Sequence, residues 1–427
     1  MTQPQTSYLR ARDYVKITIF GFALTALYQS LHSIILPLRL LDFVDESQKN
    51  TYLGLLTLSG LFLAAILQPV FATMSDRTIS RWGRRRPYVF IGGVAAALLI
   101  PGIGIIGTYF GLFAVYCLLQ ISTNIAQGPY QGLIPDLVPE NKHGTAAGVK
   151  GLIEIVGGII LVYLSSLWMD RYYDGEGAVW LWLVLGILAV LLLGTALINT
   201  LMVREPQLVS ARRSLPFWTT IYRTFKTDIW QNRSFIWFLL SRMLIHMAFM
   251  TIQQFALYYL QDVIGVEDPG KATATFSIIA VVGMVIVVWP AGYLSDRFGR
   301  IIPNMLSGLL GAVGIGIIAF SQEYGTILWA AAIIGVGLGI FNSTNWALAT
   351  DFVPQEEGAR YLAIANMATA GGAVIARAIG PVIDFFNGKS PNQGYDVMLF
   401  ACLTYFVIGA LLLLRVRRKR YETIDRY

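Results

Sequence analysis

Charged side chains are scarce in this chain, 13% of 427 residues, while 56% are hydrophobic and mean hydropathy is positive. A soluble domain carries about 25% charged residues, so water is excluded as the main solvent. Only two cysteines occur, Cys117 and Cys402, both inside apolar runs. That excludes a disulfide framework and a thiolate metal site, and both read as small core residues. The three histidines, His32, His143 and His246, lie far apart without ligand spacing, so no metal is expected. No G-x-x-x-x-G-K-[ST] loop and no nucleotide-sized polar domain are present, which excludes ATP-driven pumping and gives no sign of catalysis. No cofactor is expected. The short alternating strands of a porin-like barrel are also missing.

What the chain has instead is apolar runs of about 20 residues, each long enough to cross a hydrocarbon core as a helix. Twelve are counted: Tyr14 to Leu41, Thr51 to Met74, Tyr88 to Thr108, Tyr109 to Pro135, Gly144 to Met169, Ala178 to Val203, Phe235 to Leu260, Ala272 to Leu294, Ile302 to Phe320, Thr326 to Thr350, Tyr361 to Phe385 and Tyr395 to Leu414. The first exceeds a signal-peptide core and has no cleavage signature after it, so it reads as a retained helix. The fold class expected is all-α and integral to the membrane, with twelve spans in two pseudo-symmetric six-helix bundles. The bundles are residues 1–203 and 235–427, joined by a cytoplasmic linker, 204–234.

The net charge of +7 sits in short loops rather than on one soluble face, which argues against nucleic acid. Arg10, Arg12 and Lys16, then Arg77, Arg81 and Arg84 to Arg86, then Arg204 to Arg233, then Arg415 to Arg420 all fall on one side of the twelve-span count. The opposite loops carry Asp42, Asp45, Glu46, Asp170, Asp174, Glu176, Asp262, Glu267 and Asp268. By the positive-inside rule both termini are cytoplasmic, in an inner (cytoplasmic) or plasma membrane.

The chain repeats itself. Run 2 ends in SDRTISRWGRRRP, Ser75 to Pro87, and run 8 in SDRFGRIIP, Ser295 to Pro303. After runs 4 and 10 come DLVPENKHG, Asp136 to Gly144, and DFVPQEEG, Asp351 to Gly358. Two repeated halves are a common way to build a transporter. An acid, a turn glycine and arginines at a helix junction can pair in one conformation and separate in another. Asp76, Arg77, Gly83 and Arg84, and Asp296, Arg297, Gly299 and Arg300, are therefore the candidate gating residues; a plain positive-inside anchor is the alternative.

These loops resemble the signature of the major facilitator superfamily, which carries it between helices 2 and 3 and again between helices 8 and 9. SDRTISRWGRRRP with NIAQGPYQGLIPDL, Asn124 to Leu137, is similar to the sucrose-transporter and glycoside-pentoside-hexuronide branch. The resemblance implies alternating access, helices 1, 4, 7 and 10 around a central cavity, and sugar movement coupled to protons or sodium. Gln120 stands where the sucrose-transporter pattern has an Asp linked to proton coupling, and an amide cannot take that role.

Polar residues inside the runs support a cavity independently, since such side chains avoid lipid. Run 4 carries Gln120, Asn124, Gln127 and Gln131 on one helical face, with Tyr130 beside them. Run 1 carries Thr25, Gln29 and His32; run 7 carries Arg242, His246 and Gln253; run 10 adds Asn342 and Asn345. Amides and hydroxyls suit a hydroxyl-rich solute, because each both donates and accepts. Tyr28, Tyr130, Trp289 and Trp346 are candidates to stack on a sugar ring, against simple packing roles. Any one amide can equally serve only to join helices.

Lys150 and Glu154 stand one turn apart on run 5. Glu154 is the proton-coupling candidate with Lys150 as its modulator, and a static ion pair is the other reading. Arg377 and Asp384, seven apart, either pair or contact solute. The expected protein is a monomeric, ion-coupled sugar or glycoside transporter, the ion being H+ before Na+, whose partners are a small polar solute and the lipid bilayer. An exporter of drug-like or lipid-like molecules and a non-transporting assembly or sensor protein are the alternatives. The first would need a mainly apolar cavity, and the second an exposed partner surface.

Overall fold

A computed structural model describes residues 11–139, 142–205, 232–352 and 358–416. Among the described residues, twelve helices are long and apolar enough to cross a membrane. They are α1 (Arg12–Leu40), α2 (Glu46–Arg77), α3 (Arg86–Ile105), α4 (Tyr109–Leu137), α5 (His143–Tyr173), α6 (Val179–Met202), α7 (Arg233–Ile264), α8 (Pro269–Arg297), α9 (Ile301–Phe320), α10 (Tyr324–Asp351), α11 (Ile364–Asn387) and α12 (Gln393–Arg415). No strand occurs among the described residues. Each helix lies within a few residues of its apolar run, because in lipid a spanning segment must satisfy its backbone groups internally. The chain is an integral membrane protein.

Local sequence sets the helix ends and irregularities. Pro87 occupies the first turn of α3, where its missing N–H is not needed. Thr108 caps α4 by accepting from Gly111 N, and Asn232 caps α7 by accepting from Phe235 N. In α1 the turn Leu31–Ile35 is π-helical, with the Leu36 N–H reaching back to the Leu31 carbonyl. Pro37, just beyond it, cannot donate to the preceding turn, so the ladder widens there. Arg39 follows in the next turn. Buried, it donates to the carbonyls of Ile103 (3.2 Å), Gly104 (3.3 Å) and Ile106 (2.7 Å) at the end of α3, and pairs with Asp42 at 2.5 Å.

Contacts divide the chain into two compact units, Met1–Phe217 with Asp268–Ala274, and Trp218–Glu267 with Thr275–Tyr427. The short turn Asp268–Ala274 groups with the first unit, where Asp170 accepts from the Gly270 and Lys271 N–H groups, both at 2.7 Å. The expected linker lies, from 206 to 231, outside the described residues, as do Arg10, most of the basic tail and 353–357 of the second D-x-V-P motif. Within the first unit α1 packs on α5 and α6, and α3 on α4 and α6. The second unit repeats the pattern: α7 packs on α11 and α12, and α9 on α10 and α12. Large apolar side chains such as Phe62, Leu98, Phe320 and Trp329 are exposed, which suits contact with lipid rather than water.

Candidate functional site

In the first unit, polar side chains of α1 and α4 form a lattice deep among apolar ones. Tyr28 donates its hydroxyl hydrogen to Thr123 Oγ1 (2.7 Å), with Gln120 Oε1 at 3.3 Å. Gln120 donates from Nε2 to the Tyr116 hydroxyl (2.7 Å), which also lies 2.9 Å from His32 Nε2. The Tyr28 and His32 rings stack at 5.7 Å. Asn124 donates to the Gln120 carbonyl at 2.8 Å. His32 belongs to the π-helical turn, and such turns are frequent at functional sites.

The four amides expected on one face of α4 do not share one environment. Gln120 and Asn124 are buried, Gln127 is half-buried and Gln131 is exposed. Gln29 is half-buried beside Gly158 of α5. Tyr130 is buried and tied to α1, donating to the Thr18 carbonyl (2.9 Å) and accepting from Gly21 N (3.1 Å). A Cβ on Gly21 would collide with the Tyr130 hydroxyl and the Glu154 carboxylate. Glu154 pairs with Lys150 at 2.8 Å, and the Lys150 ammonium lies 6.0 Å from the centre of the Tyr130 ring. The side chains of Tyr130, Lys150 and Glu154 thus form one cluster against the bare backbone of α1.

In the second unit Arg242 is buried. Its Nε donates to Thr369 Oγ1 (2.7 Å) and the Ala365 carbonyl (3.1 Å), and its Nη1 donates to Asn345 Oδ1. Asn345 in turn donates to Asn304 Oδ1 (2.9 Å), and Asn304 donates to the Arg300 carbonyl (2.8 Å). His246, one turn beyond Arg242, stacks on Phe341 with ring centroids 6.3 Å apart. Gln253 and Asn342 are exposed, Asn342 donating to Met284 Sδ at 3.5 Å. Trp289 stacks on Tyr293 on an exposed face, whereas Trp346 lies 5.7 Å from the Arg242 guanidinium.

The two repeated loops share a backbone. Gly83 and Gly299 both have positive φ, 99° and 92°, a region that favours glycine. In the first loop Arg84 pairs with Asp136 and lies 3.9 Å from Asp76, while Arg85 pairs with Asp76 at 2.9 Å and with Asp136. In the second, Arg300 pairs with Asp351 at 2.6 Å and Asp296 at 3.5 Å. Arg77 and Arg297 are exposed. Sequence reasoning missed Arg85, Asp136, Asp351 and Glu205 as members. For the two Asp residues the signal was available, since each begins the repeated D-x-V-P motif. Glu205 had none: it accepts from the N–H groups of Arg84 (2.8 Å), Arg85 (3.0 Å) and Arg86 (2.9 Å), holding the start of α3 from a distant part of the chain.

Residues 15–377 match the Major Facilitator Superfamily. The chain belongs to that superfamily. Among superfamily relatives, the lactose permease of Lactobacillus delbrueckii subsp. bulgaricus is 24% identical over 291 residues, 63% of this chain and 44% of the permease. Sucrose transport protein SUC4 of Arabidopsis thaliana is 33% identical over 121 residues, 24% of this chain and 23% of that protein. The chain thus spans less than half the length of these curated relatives. They include sugar carriers but do not single out the sucrose-transporter branch. The superfamily fold is seen in the crystal structure of nucleoside transporter NupG, at a TM-score of 0.72 with 16% identity, covering 94% of this chain and 98% of that one. By family and fold the chain is not an enzyme.

Proposed function

We propose that this superfamily member is a secondary active transporter that moves a sugar or glycoside across its membrane by alternating access. The observation that carries the reading is the α1–α4 lattice of Tyr28, His32, Tyr116, Gln120 and Thr123. Groups that both donate and accept suit hydroxyl-rich solutes, and placing them within membrane helices is costly without a function. An exporter of apolar molecules has no use for such a lattice. Similarity to a lactose permease and a sucrose transport protein supports the same solute class.

Coupling to protons is assigned to Glu154. Its carboxylate has Lys150 as counter-charge and Tyr130 as neighbour, so protonation exchanges one partner for another. The basic loops at the Asp76 and Asp296 ends are read as cytoplasmic, with both termini on that side, and the protein as acting as a monomer. Reconstitution in liposomes with labelled mono- and disaccharides, with and without a proton gradient, tests this. Uptake above empty vesicles is expected for at least one sugar, and absence of uptake for all of them refutes the solute class. Glu154→Gln is expected to abolish gradient-driven accumulation while leaving downhill exchange. Unchanged accumulation removes Glu154 from the coupling role.

A further inference from the structure

Within the second unit, three hydrogen bonds run head to tail in one direction. Arg242 Nη1 on α7 donates to Asn345 Oδ1, Asn345 Nδ2 donates to Asn304 Oδ1 at 2.9 Å, and Asn304 Nδ2 donates to the Arg300 carbonyl at 2.8 Å. A guanidinium has hydrogens only to give, so the oxygen of Asn345 must face it. The NH2 of Asn345 is thereby turned toward Asn304, and that of Asn304 toward Arg300. One cation sets two amide orientations. Both asparagines are buried, at 1% and 0% exposure, so an amide turned the other way would leave enclosed polar groups unpaired.

Arg300 of the second loop is held at two points as a result. Its carbonyl takes the Asn304 amide, while its Nη1 donates to the Ala347 carbonyl and to Asp351 (2.6 Å), both on the helix that carries Asn345. The first unit uses the same two positions without joining them. Tyr130, six positions before Asp136 as Asn345 is before Asp351, also reaches the first helix of its unit, at Thr18 and Gly21. Tyr88, next after Pro87 as Asn304 is next after Pro303, also serves its loop, at Thr78. Each tyrosine has a single hydroxyl for the task, whereas an asparagine gives from one atom and takes at another. That difference makes the second unit's contacts one continuous chain from α7 to the loop.

We propose that Asn345 and Asn304 are positioning residues through which α7 sets the conformation of the second loop. With Arg242 in place both amides are locked and the Arg300 backbone is fixed beside its ion pair with Asp351. A movement of α7 that draws the guanidinium off Asn345 removes the demand for an oxygen there; both amides are then released to turn, and the Arg300 carbonyl loses its donor. The amide torsion is roughly two-fold, so the chain has the two discrete arrangements that coupling between distant groups requires. Anchoring on a cation also strengthens each link while the chain is intact. The proposal rests on the alternating-access reading, in which this loop forms and breaks its pairs, and adds the helix that governs it.

Hydrogen exchange of the full chain in liposomes, followed by mass spectrometry with no solute added, tests this. Residues 295–307 cover the second loop and the start of α9, and residues 75–91 are the matched control in the first unit. Arg242→Met is expected to speed exchange of 295–307 about fivefold and to leave 75–91 unchanged. Arg242→Lys, which still offers Asn345 a cationic donor, should restore part of the protection. In an Asn345→Leu background Arg242→Met should add nothing, because the chain is already cut. Unchanged exchange of 295–307 overturns the proposal. So does an equal rise in both loops, which is general loosening, and so do effects of Arg242→Met and Asn345→Leu that multiply when combined. Should Arg242→Met fail to reach the membrane, Asn345→Leu alone makes the same comparison of the two loops. Since no solute takes part, these results are separate from sugar uptake: absence of uptake refutes the solute class and leaves the chain to be judged by exchange.

Discussion

The two units share a backbone plan but treat buried charge differently. In the first, Arg85 is held by two carboxylates and Lys150 by Glu154, while Glu205 braces the loop backbone. In the second, Arg300 has Asp351 and a largely exposed Asp296, and among the described residues Arg242 meets only neutral acceptors. Helix pairing and the left-handed glycines are common to both units. Side-chain charge balance has diverged.

The comparison predicts unequal responses to matched substitutions. The largest should come from the loops: Arg85→Ala leaves Asp136 with Arg84 alone and takes from Asp76 its nearer partner, and is expected to cost about 2 kcal/mol of stability. Arg300→Ala, in a wetter setting, should cost about 1 kcal/mol. Thermal denaturation of both variants in detergent measures the gap, and equal losses would remove the asymmetry. Next, Gly21→Ala should cost about 2 kcal/mol by forcing Glu154 and Tyr130 aside. Gly148→Ala, with open space around the new methyl, should be neutral or stabilising by about 0.5 kcal/mol. The same melts report this contrast. The smallest difference separates Gly83→Ala from Gly299→Ala. Both incur strain of about 1 kcal/mol from positive φ. Gly83→Ala should lose somewhat more, since its Cβ would stand 2.8 Å from Glu205 whereas Gly299 has open space.

Most of the fold was legible in the sequence, because a bilayer imposes one length and one polarity on every span. Run 9, Ile302 to Phe320, differs from α9 by a single residue. The loops were legible as repeats, and Arg300 with Asp296 is a pairing only four residues apart, across the loop glycine Gly299. The partners of Arg85 were not, since Asp136 and Glu205 lie 51 and 120 positions away and reach it through packing. Periodicity placed Gln120 and Asn124 on one face of α4 but said nothing of Tyr28 or Tyr116, whose hydroxyls occupy Gln120. Nor did it separate Gln131, on the same stripe, from its buried neighbours: burial depends on which helix stands opposite, and spacing within one helix carries no information about that.

The wide turn at Leu31–Ile35 fixes an angular phase. Successive residues of a helix are set about 100° apart, so the extra residue accommodated there determines which way everything beyond it points. Arg39 meets the carbonyls of Ile103, Gly104 and Ile106 at the end of α3 only in that phase. Deleting one residue from the turn would leave the composition of α1 nearly unchanged and aim the guanidinium at a different neighbour, so a single-residue length change acts at this point as a rotation of the whole C-terminal end of the helix.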